Sequence, residues 1–418
     1  MAIEKIKLHN FRNISELDIT LTPENKVVCL VGENGSSKTA LLTSLVEGIV
    51  SHTRLSFPKV KEDEKLRYRV VSSSEIKSNE EFYSIEIEYS KIKGKKHTFK
   101  KLAGSKGLAQ EVYSEYISGM NLAKNYFFES STLTRSNPDE DFLFDSVFLF
   151  RPGHRFEQDG MLVETQKEWE SKLSVNSDLS NRIPHYHTIS HAGNDVQTIL
   201  LDLFFDGIIG YEQHMAAFKS IPSILAKVTG KDFGNIQISA SPNRQVYSST
   251  IGEIKNLSQG ELDLLVTISL IIRQQSFFFN KYTQEELERY GIDGVLKIPG
   301  VVLIDEVDLH LHPRAQENYM KVLTDIFPNV QFVVTTHSPF VVRGLPDHSK
   351  VIQLPTGREF NQKFGAMDIG SITNIIFEYE GGFSEETLSL FEEFKLELVS
   401  EAPQVEVLSN IYQQLRSS

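Results

Sequence analysis

The sequence has a single cysteine, Cys29, set inside an apolar run, so no disulfide framework can form. A lone buried thiol fits a reducing compartment, and a cytoplasmic location is expected. No apolar run reaches the roughly 18 residues needed to span a bilayer; the best, from Leu264 to Ile272, is about half that, and no membrane partner is expected. The opening MAIEKIKLHNF scatters charges and has no apolar core, which argues against a signal peptide. Positive charge is also short: 43 Lys and Arg against 56 Asp and Glu leave a net charge of −13. So acidic a surface does not favour non-specific DNA binding, and any nucleic-acid contact has to come from a local patch. There is no internal repeat and no low-complexity tract. Without a sustained heptad pattern, a long coiled coil is not expected either.

What is present is a chain of 418 residues, long enough for two domains or for one domain with a large insertion. Leu17, Ile19 and Leu21 alternate with polar residues as in a half-buried strand. After a turn at Pro23 to Lys26, the run VVCLV (27–31) reads as a fully buried parallel strand. Helical spacing begins at Lys38 and continues to Glu47, and Gly48 stands where a helix stop is expected. Tyr83, Ile85, Ile87 and Tyr89 mark another strand, which turns at Gly94 and returns through Phe99 and Leu102. Residues 108–245, with helical stretches at Leu108 to Leu122 and Val196 to Leu225, read as a mainly helical insertion. From Phe383 the tail is expected to be helical, with Ser384 as its N-cap and Phe383 and Leu388 as a hydrophobic staple.

Four motifs carry chemistry. Gly32-Glu33-Asn34-Gly35-Ser36-Ser37-Lys38-Thr39 sits between a buried strand and a helix and matches GxxxxGK[ST], except that Ser37 replaces the last glycine. Backbone N–H groups of such a loop and of the helix N-terminus form a positive concavity for phosphate oxygens. Lys38 is expected to reach the terminal phosphates of ATP, and Thr39 to ligate Mg2+. The Ser37 side chain must point away from the nucleotide, a departure that bears on affinity and rate without fixing either. The second motif, Val301-Val302-Leu303-Ile304-Asp305-Glu306, is a buried strand that delivers two carboxylates to a site. Asp305 is the expected Mg2+ holder, and Glu306 the residue that orients the attacking water.

The third motif is Asn256-Leu257-Ser258-Gln259-Gly260-Glu261. Ser258 is a natural N-cap, and Glu261 completes an S-x-x-E capping box before an apolar helix, which makes a second anion-binding helix start. Fourth, Phe332 to Thr336 forms a strand that delivers His337 at its end, followed by Ser338-Pro339. Asp308 follows closely on Glu306. Lys91, Lys93, Lys95, Lys96, Lys100, Lys101 and Lys106 make one basic run on the hairpin, readable as a DNA contact or as a solvated tip. His185, His187 and His191 read as loop histidines, and His310 and His312 as packing residues. Arg151 and Arg155 suit a nucleotide, DNA or a partner equally well.

The third motif resembles the ABC signature, His337 resembles the switch histidine of ABC ATPases, and Asp308 the D-loop acid. Leu8-His9-Asn10-Phe11-Arg12 resembles the L-x-N-F-R start of RecF/SMC-like ABC ATPases. Asp305 to Pro313 with Thr335 to Pro339 is similar to the subset found in OLD proteins and in the PtuA-like ATPases of Septu and retron-linked antiphage systems. Phe150 to Glu157 resembles a segment of the PtuA-like group.

That resemblance implies an α/β fold: an ABC-ATPase head of the P-loop class with a mainly helical insertion and a helical tail. The implied division is 1–107 and 246–375 for the head, 108–245 for the insertion and 376–418 for the tail. It further implies ATP and Mg2+ as cofactors and a head-to-tail homodimer or higher oligomer. In that dimer Ser258, Gln259 and Gly260 of one copy close on the nucleotide of the other. Glu306, His337 and Lys38 would be catalytic, with Asn34, Gly35, Ser36, Ser37, Lys38, Thr39 and Asp308 lining the nucleotide. The stretch after His337 has no D-x-D pair, so no nuclease is expected in this chain and a separate HNH or TOPRIM effector is. A RecF-type DNA clamp and a nucleotide-bound scaffold with little turnover are the alternatives.

Overall fold

A computed structural model describes residues 2–56, 71, 73–92, 95–105, 127–133, 146–153, 187–188, 193–240, 244–279, 285, 291–378, 385–400 and 403–417. The chain forms two compact units, Met1–Ala366 and Met367–Ser418.

The first unit opens with the antiparallel hairpin β1 (Ile3–Phe11) and β2 (Ile14–Thr20), then the central strand β3 (Val27–Val31) and helix α1 (Lys38–Ser56). Next come β4 (Phe82–Ile92), β5 (Lys95–Ser105), β6 (Phe127–Leu133), β7 (Val147–Arg151) and the short β8 (His187–Thr188). Helices α2 (Gly193–Ile208) and α3 (Glu212–Thr229) follow, then β9 (Ile236–Ile238), β10 (Val246–Ser248), β11 (Gly252–Glu253) and α4 (Gln259–Phe279). The unit closes with β12 (Gly300–Ile304), α5 (Pro313–Ile326), β13 (Val330–Thr335), α6 (Pro339–Arg343), β14 (Lys350–Gln353) and β15 (Arg358–Phe360).

These strands make a five-stranded antiparallel sheet, β2-β1-β4-β5-β6, a small β11-β10-β9 sheet, and a seven-stranded sheet of order β15-β14-β3-β13-β12-β7-β8. In the large sheet every pairing is parallel except the β14–β15 edge. Strands β3, β7, β12 and β13 are buried at every residue, as helix-covered parallel strands must be. The main core lies between the two larger sheets, with α1 packed against β4, β5 and β13. From Ala40 to Ile49 the helix is buried on all sides, so it carries no polar stripe.

Gly48 does not stop α1, which runs on to Ser56. A Cβ there would lie 2.5 Å from the Tyr89 hydroxyl and 3.2 Å from the Phe99 ring, so this glycine is a close-approach site between helix and sheet. Glu47, one residue earlier, is buried and accepts from Lys101 Nζ at 2.6 Å and from the Val71 N–H at 2.7 Å. Within 108–245, the stretch expected as a mainly helical insertion, α2 and α3 are joined by strands: β6 extends the antiparallel sheet and β7 sits inside the large one. The expected helix at Leu108 to Leu122 lies outside the described residues. Helix α4 is long and apolar enough to cross a membrane by length and composition, but it is mostly buried inside the protein, as a core helix is.

The second unit is helical: α7 (Ile369–Phe377), α8 (Glu385–Leu398) and α9 (Val405–Ser417). Asp368 caps α7 by accepting from the Ser371 N–H at 2.9 Å, and α8 packs on α9. The proposed cap and staple residues Phe383 and Ser384 lie outside the described residues.

Candidate functional site

Three neighbouring parallel strands, β3, β13 and β12, end on the same edge of the large sheet. Ligands of open α/β sheets collect at the carboxyl ends of their strands, and here the first, second and fourth sequence motifs all hang from that edge. β3 leads into the glycine-rich loop, β12 into Asp305 and Glu306, and β13, which lies between them, into His337.

The loop is tightly built. Gly32 has φ +138°, and a Cβ there would lie 2.3 Å from the Leu354 carbonyl oxygen, so only glycine fits. Gly35 has φ +81° and open space around it. Ser37 adopts φ +75°, the left-handed conformation that disfavours a side chain and that the glycine of the general pattern supplies freely. Its Oγ accepts from the Asn13 N–H at 3.3 Å, while Asn13 Nδ2 donates to the Gly35 carbonyl at 2.6 Å. The β1–β2 turn therefore braces the loop at its unusual residue. Lys38 Nζ donates to the Gly32 and Glu33 carbonyls, both at 2.8 Å, and to Ser36 Oγ at 3.3 Å. Burial lowers the Lys38 pKa against the opposing pull of Asp305, Glu306 and Asp308.

Asp305 is buried and held by two threonines. Thr39 Oγ1 donates to Oδ2 at 2.8 Å, and Thr335 Oγ1 donates to Oδ1 at 2.6 Å. The Thr335 hydroxyl also accepts from the Glu306 N–H at 2.7 Å, which fixes the backbone where Glu306 takes φ +49°. The Glu306 side chain is exposed at the mouth, as is His337. Burial lowers the His337 pKa, and the Lys38 ammonium adds to the effect, while Asp308 and Asp305 oppose it. A neutral imidazole at pH 7 follows, able to donate from one nitrogen and accept at the other. Thr336 Oγ1 donates to Asp308 Oδ1, and Gln316 Nε2 donates to the Asp308 and Leu311 carbonyls at 3.3 and 2.8 Å. Hard oxygen donors from one threonine and one carboxylate fit Mg2+ bound alongside a phosphate.

The expected capping box is present. The Ser258 N–H and hydroxyl donate to Glu261 Oε2 at 2.9 and 2.8 Å, and the Glu261 N–H returns a longer bond to Ser258 Oγ at 3.4 Å. Burial alone would raise the Glu261 pKa, but Lys231, at 2.5 Å, and the Ser258 bonds hold it below the usual range. Gly260 has a reason within its own chain: a Cβ would lie 2.3 Å from the His310 carbonyl oxygen, just beyond the β12 acids. Gln259, between them, begins α4.

Other sequence expectations change. Arg151 is no surface ligand: its side chain is fully buried and pairs with Asp263 of α4 at 2.7 Å. Arg155 lies outside the described residues. In the basic run Lys101 is buried against Glu47 and Lys100 pairs with Glu86 at 3.0 Å, so neither offers a free cation to DNA; nothing is described of the other five side chains. His187 lies in β8 rather than a loop, and His185 and His191 are outside the described residues. His312 caps α5 by accepting from the Arg314 N–H. Among the described residues no three His, Cys, Asp or Glu side chains cluster as a metal site. Burial pushes the Cys29 thiol far up, so it is inert.

Sequence reasoning missed Thr335, which rigs both acids, and Gly153 beyond β7. A Cβ on Gly153 would lie 3.1 Å from the Glu306 carboxyl carbon. The repeated threonines beside His337 were the available signal for the first, and the Phe150 to Glu157 segment, which contains Gly153, for the second.

A P-loop beside paired strand-end acids and a strand-end histidine, on this sheet, is the arrangement of an α/β P-loop fold, and it is similar to that of ABC-like ATPases. Residues 5–204 match the family described as "AAA domain", and residues 240–343 the one described as "AAA domain, putative AbiEii toxin, Type IV TA system". The chain is similar to "Retron Vc95 probable ATPase" of Vibrio cholerae serotype O1 biovar El Tor, 39% identical over 27% of this chain and 20% of that protein. It is 34% identical to "Retron Ec83 probable ATPase" of Escherichia coli over 35% of this chain and 25% of the other. Against Septu protein PtuA of Bacillus thuringiensis the identity is 29%, over 40% and 37%. The matched part thus spans 20% to 37% of the length of these curated relatives. Among solved structures, an SMC head bound to the C-winged helix domain of ScpA aligns over 86% of this chain and 96% of that one, at 16% identity and TM-score 0.44, too low to carry functional detail.

Proposed function

We propose that this chain is an ATP-hydrolysing head that works as a head-to-tail pair and controls a separate effector in bacterial antiphage defence. The observation that carries the ATPase reading is the 2.8 Å bond from Thr39 to Asp305. Two residues distant in sequence, each picked out as an Mg2+ ligand by its own motif, touch at the mouth of the loop. In this reading the Lys38 ammonium exchanges the Gly32 and Glu33 carbonyls for phosphate oxygens, and loop N–H groups around Asn34 to Lys38 cradle the rest. Thr39 and Asp305 hold Mg2+, which when bound offsets the phosphate charge. Glu306, exposed and fixed through its backbone, orients the attacking water, and neutral His337 hydrogen-bonds the γ-phosphate. The Ser258–Gly260 turn of a second copy, a capped helix start, seals the far side of the nucleotide, and Asp308 lines it.

The defence role and the separate effector, an HNH or TOPRIM nuclease, rest on the similarity to the retron and Septu ATPases. Co-purification with the product of a neighbouring gene supports it; a chain that stays monomeric and alone, with or without ATP, speaks against it. Glu306→Gln tests the chemistry: hydrolysis should fall by about 10²–10⁴-fold with ATP still bound. Turnover unchanged by this substitution would favour a nucleotide-bound scaffold instead.

A further inference from the structure

We propose that the buried Arg151–Asp263 ion pair is the latch that holds the Ser258 helix in register with the candidate catalytic acids, and that Arg151 is a positioning residue for hydrolysis. The inference rests on the paired-head reading above. Arg151 faces both ways. Its carbonyl accepts from the Asp305 N–H at 2.8 Å, as part of the β7–β12 ladder. Its guanidinium holds Asp263 at 2.7 Å, and both side chains are almost wholly out of solvent. Asp263 lies two residues beyond Glu261, the residue that caps Ser258. Gly153, two residues beyond Arg151, backs the Glu306 carboxyl. One short stretch therefore touches Asp305 through its backbone, Glu306 through a glycine and the Ser258 helix through a charge.

Two further ties run alongside. The Phe148 N–H donates to Gln274 Oε1 at 3.0 Å, three turns further down α4, and Gly260 abuts the His310 carbonyl. Apolar packing of Leu262, Leu264 and Leu265 is non-directional and would tolerate a slide of the helix along the sheet. A bidentate-capable guanidinium facing one buried carboxylate does not tolerate it, because sliding would strand a buried charge. What the pair adds to packing is a fixed axial position for the Ser258 turn relative to the acids.

The test uses the full chain and three proteins: wild type, Arg151→Met/Asp263→Leu, and Arg151→Lys. Steady-state ATP hydrolysis and thermal melting are measured on each. A buried pair replaced by packed apolar residues is often neutral for stability, so the double variant should melt within about 5 °C of wild type. Its kcat should drop on the order of 10- to 100-fold with KM within about threefold, as for a site misplaced by roughly an ångström. Arg151→Lys, which keeps the cation, should recover part of that rate. A folded double variant with wild-type kcat overturns the latch and leaves the ATPase reading intact. Should the double variant fail to fold, Arg151→Lys decides: a lower melting temperature with unchanged kcat marks the pair as purely structural. A wild-type chain without ATPase activity refutes the paired-head reading itself and the latch with it.

Discussion

The tightest contact around the Ser258 turn makes a quantitative prediction. Replacing Gly260 by alanine puts a methyl 2.3 Å from the His310 carbonyl oxygen and 3.0 Å from its carbon. A comfortable carbon–oxygen contact is about 3.3 Å or more, so the start of α4 and the His310 segment must part by about 1 Å. Such overpacking costs about 1–3 kcal/mol, and alanine's better helix propensity returns at most about 1 kcal/mol of it. The net loss, about 1–2 kcal/mol, shifts a melting curve by only a few degrees in a unit of this size. The effect on turnover should be far larger. The same ångström separates the Ser258 turn from the segment that follows Glu306, and displacements of that size cost about 10²-fold in rate. Hydrolysis, melting and binding of a fluorescent ATP analogue are measured on one preparation, and binding to the P-loop should be unchanged. Gly260→Ala turning over within about threefold of wild type would refute the reasoning.

Two further predictions follow from buried charge. Burial raises the Asp202 pKa to about 6 from the model-peptide 3.8, with Arg273 opposing and Asp206 adding to the rise. The folded chain therefore keeps a proton that the unfolded chain has lost between those values, stability falls as pH rises through that window, and the penalty is complete above it. Asp202→Asn should stabilise at pH 7.5 by about 1 kcal/mol, after discounting for partial exposure, and hardly at all near about pH 4; an equal shift in melting temperature at both would exclude this origin. Lys101→Met leaves the Glu47 carboxylate buried without its cation and should cost about 3–5 kcal/mol in urea unfolding, most of it recovered by Lys101→Met/Glu47→Leu. A single-variant loss below about 1 kcal/mol contradicts the pairing.

What was legible in the sequence was local. The glycine loop between strand and helix, the apolar run ending in Asp305-Glu306 and the Ser258–Glu261 box each carry their meaning within a few residues, and the structure forms each as expected. Contacts between distant segments were not legible. Gly48 reads locally as a helix end, yet its missing side chain serves the approach of Tyr89 and Phe99 from another sheet. Phe148 to Arg151 sits in a stretch dominated by polar loops, and parallel pairing with β12 is a non-local fact that no periodicity announces. Arg151 looked like a ligand-binding cation because a buried arginine is rare and its partner, Asp263, lies hidden among the leucines of α4.

The placement of β13 between β3 and β12 gives the sheet a second task, that of a gauge. Parallel strands keep both their hydrogen-bond ladder and the side each residue faces only if they shift by two residues at a time, which is about 6.6 Å. With Thr335 opposite Leu30 and Val334 opposite Ile304, any such slip would carry Thr335 away from the Asp305 oxygen it reaches at 2.6 Å. A misaligned sheet could still bury its valines, but it could not assemble the threonine–aspartate cluster. Correct folding of the strands and formation of the threonine–aspartate cluster are thus one event, and a mispaired chain is left without the candidate site.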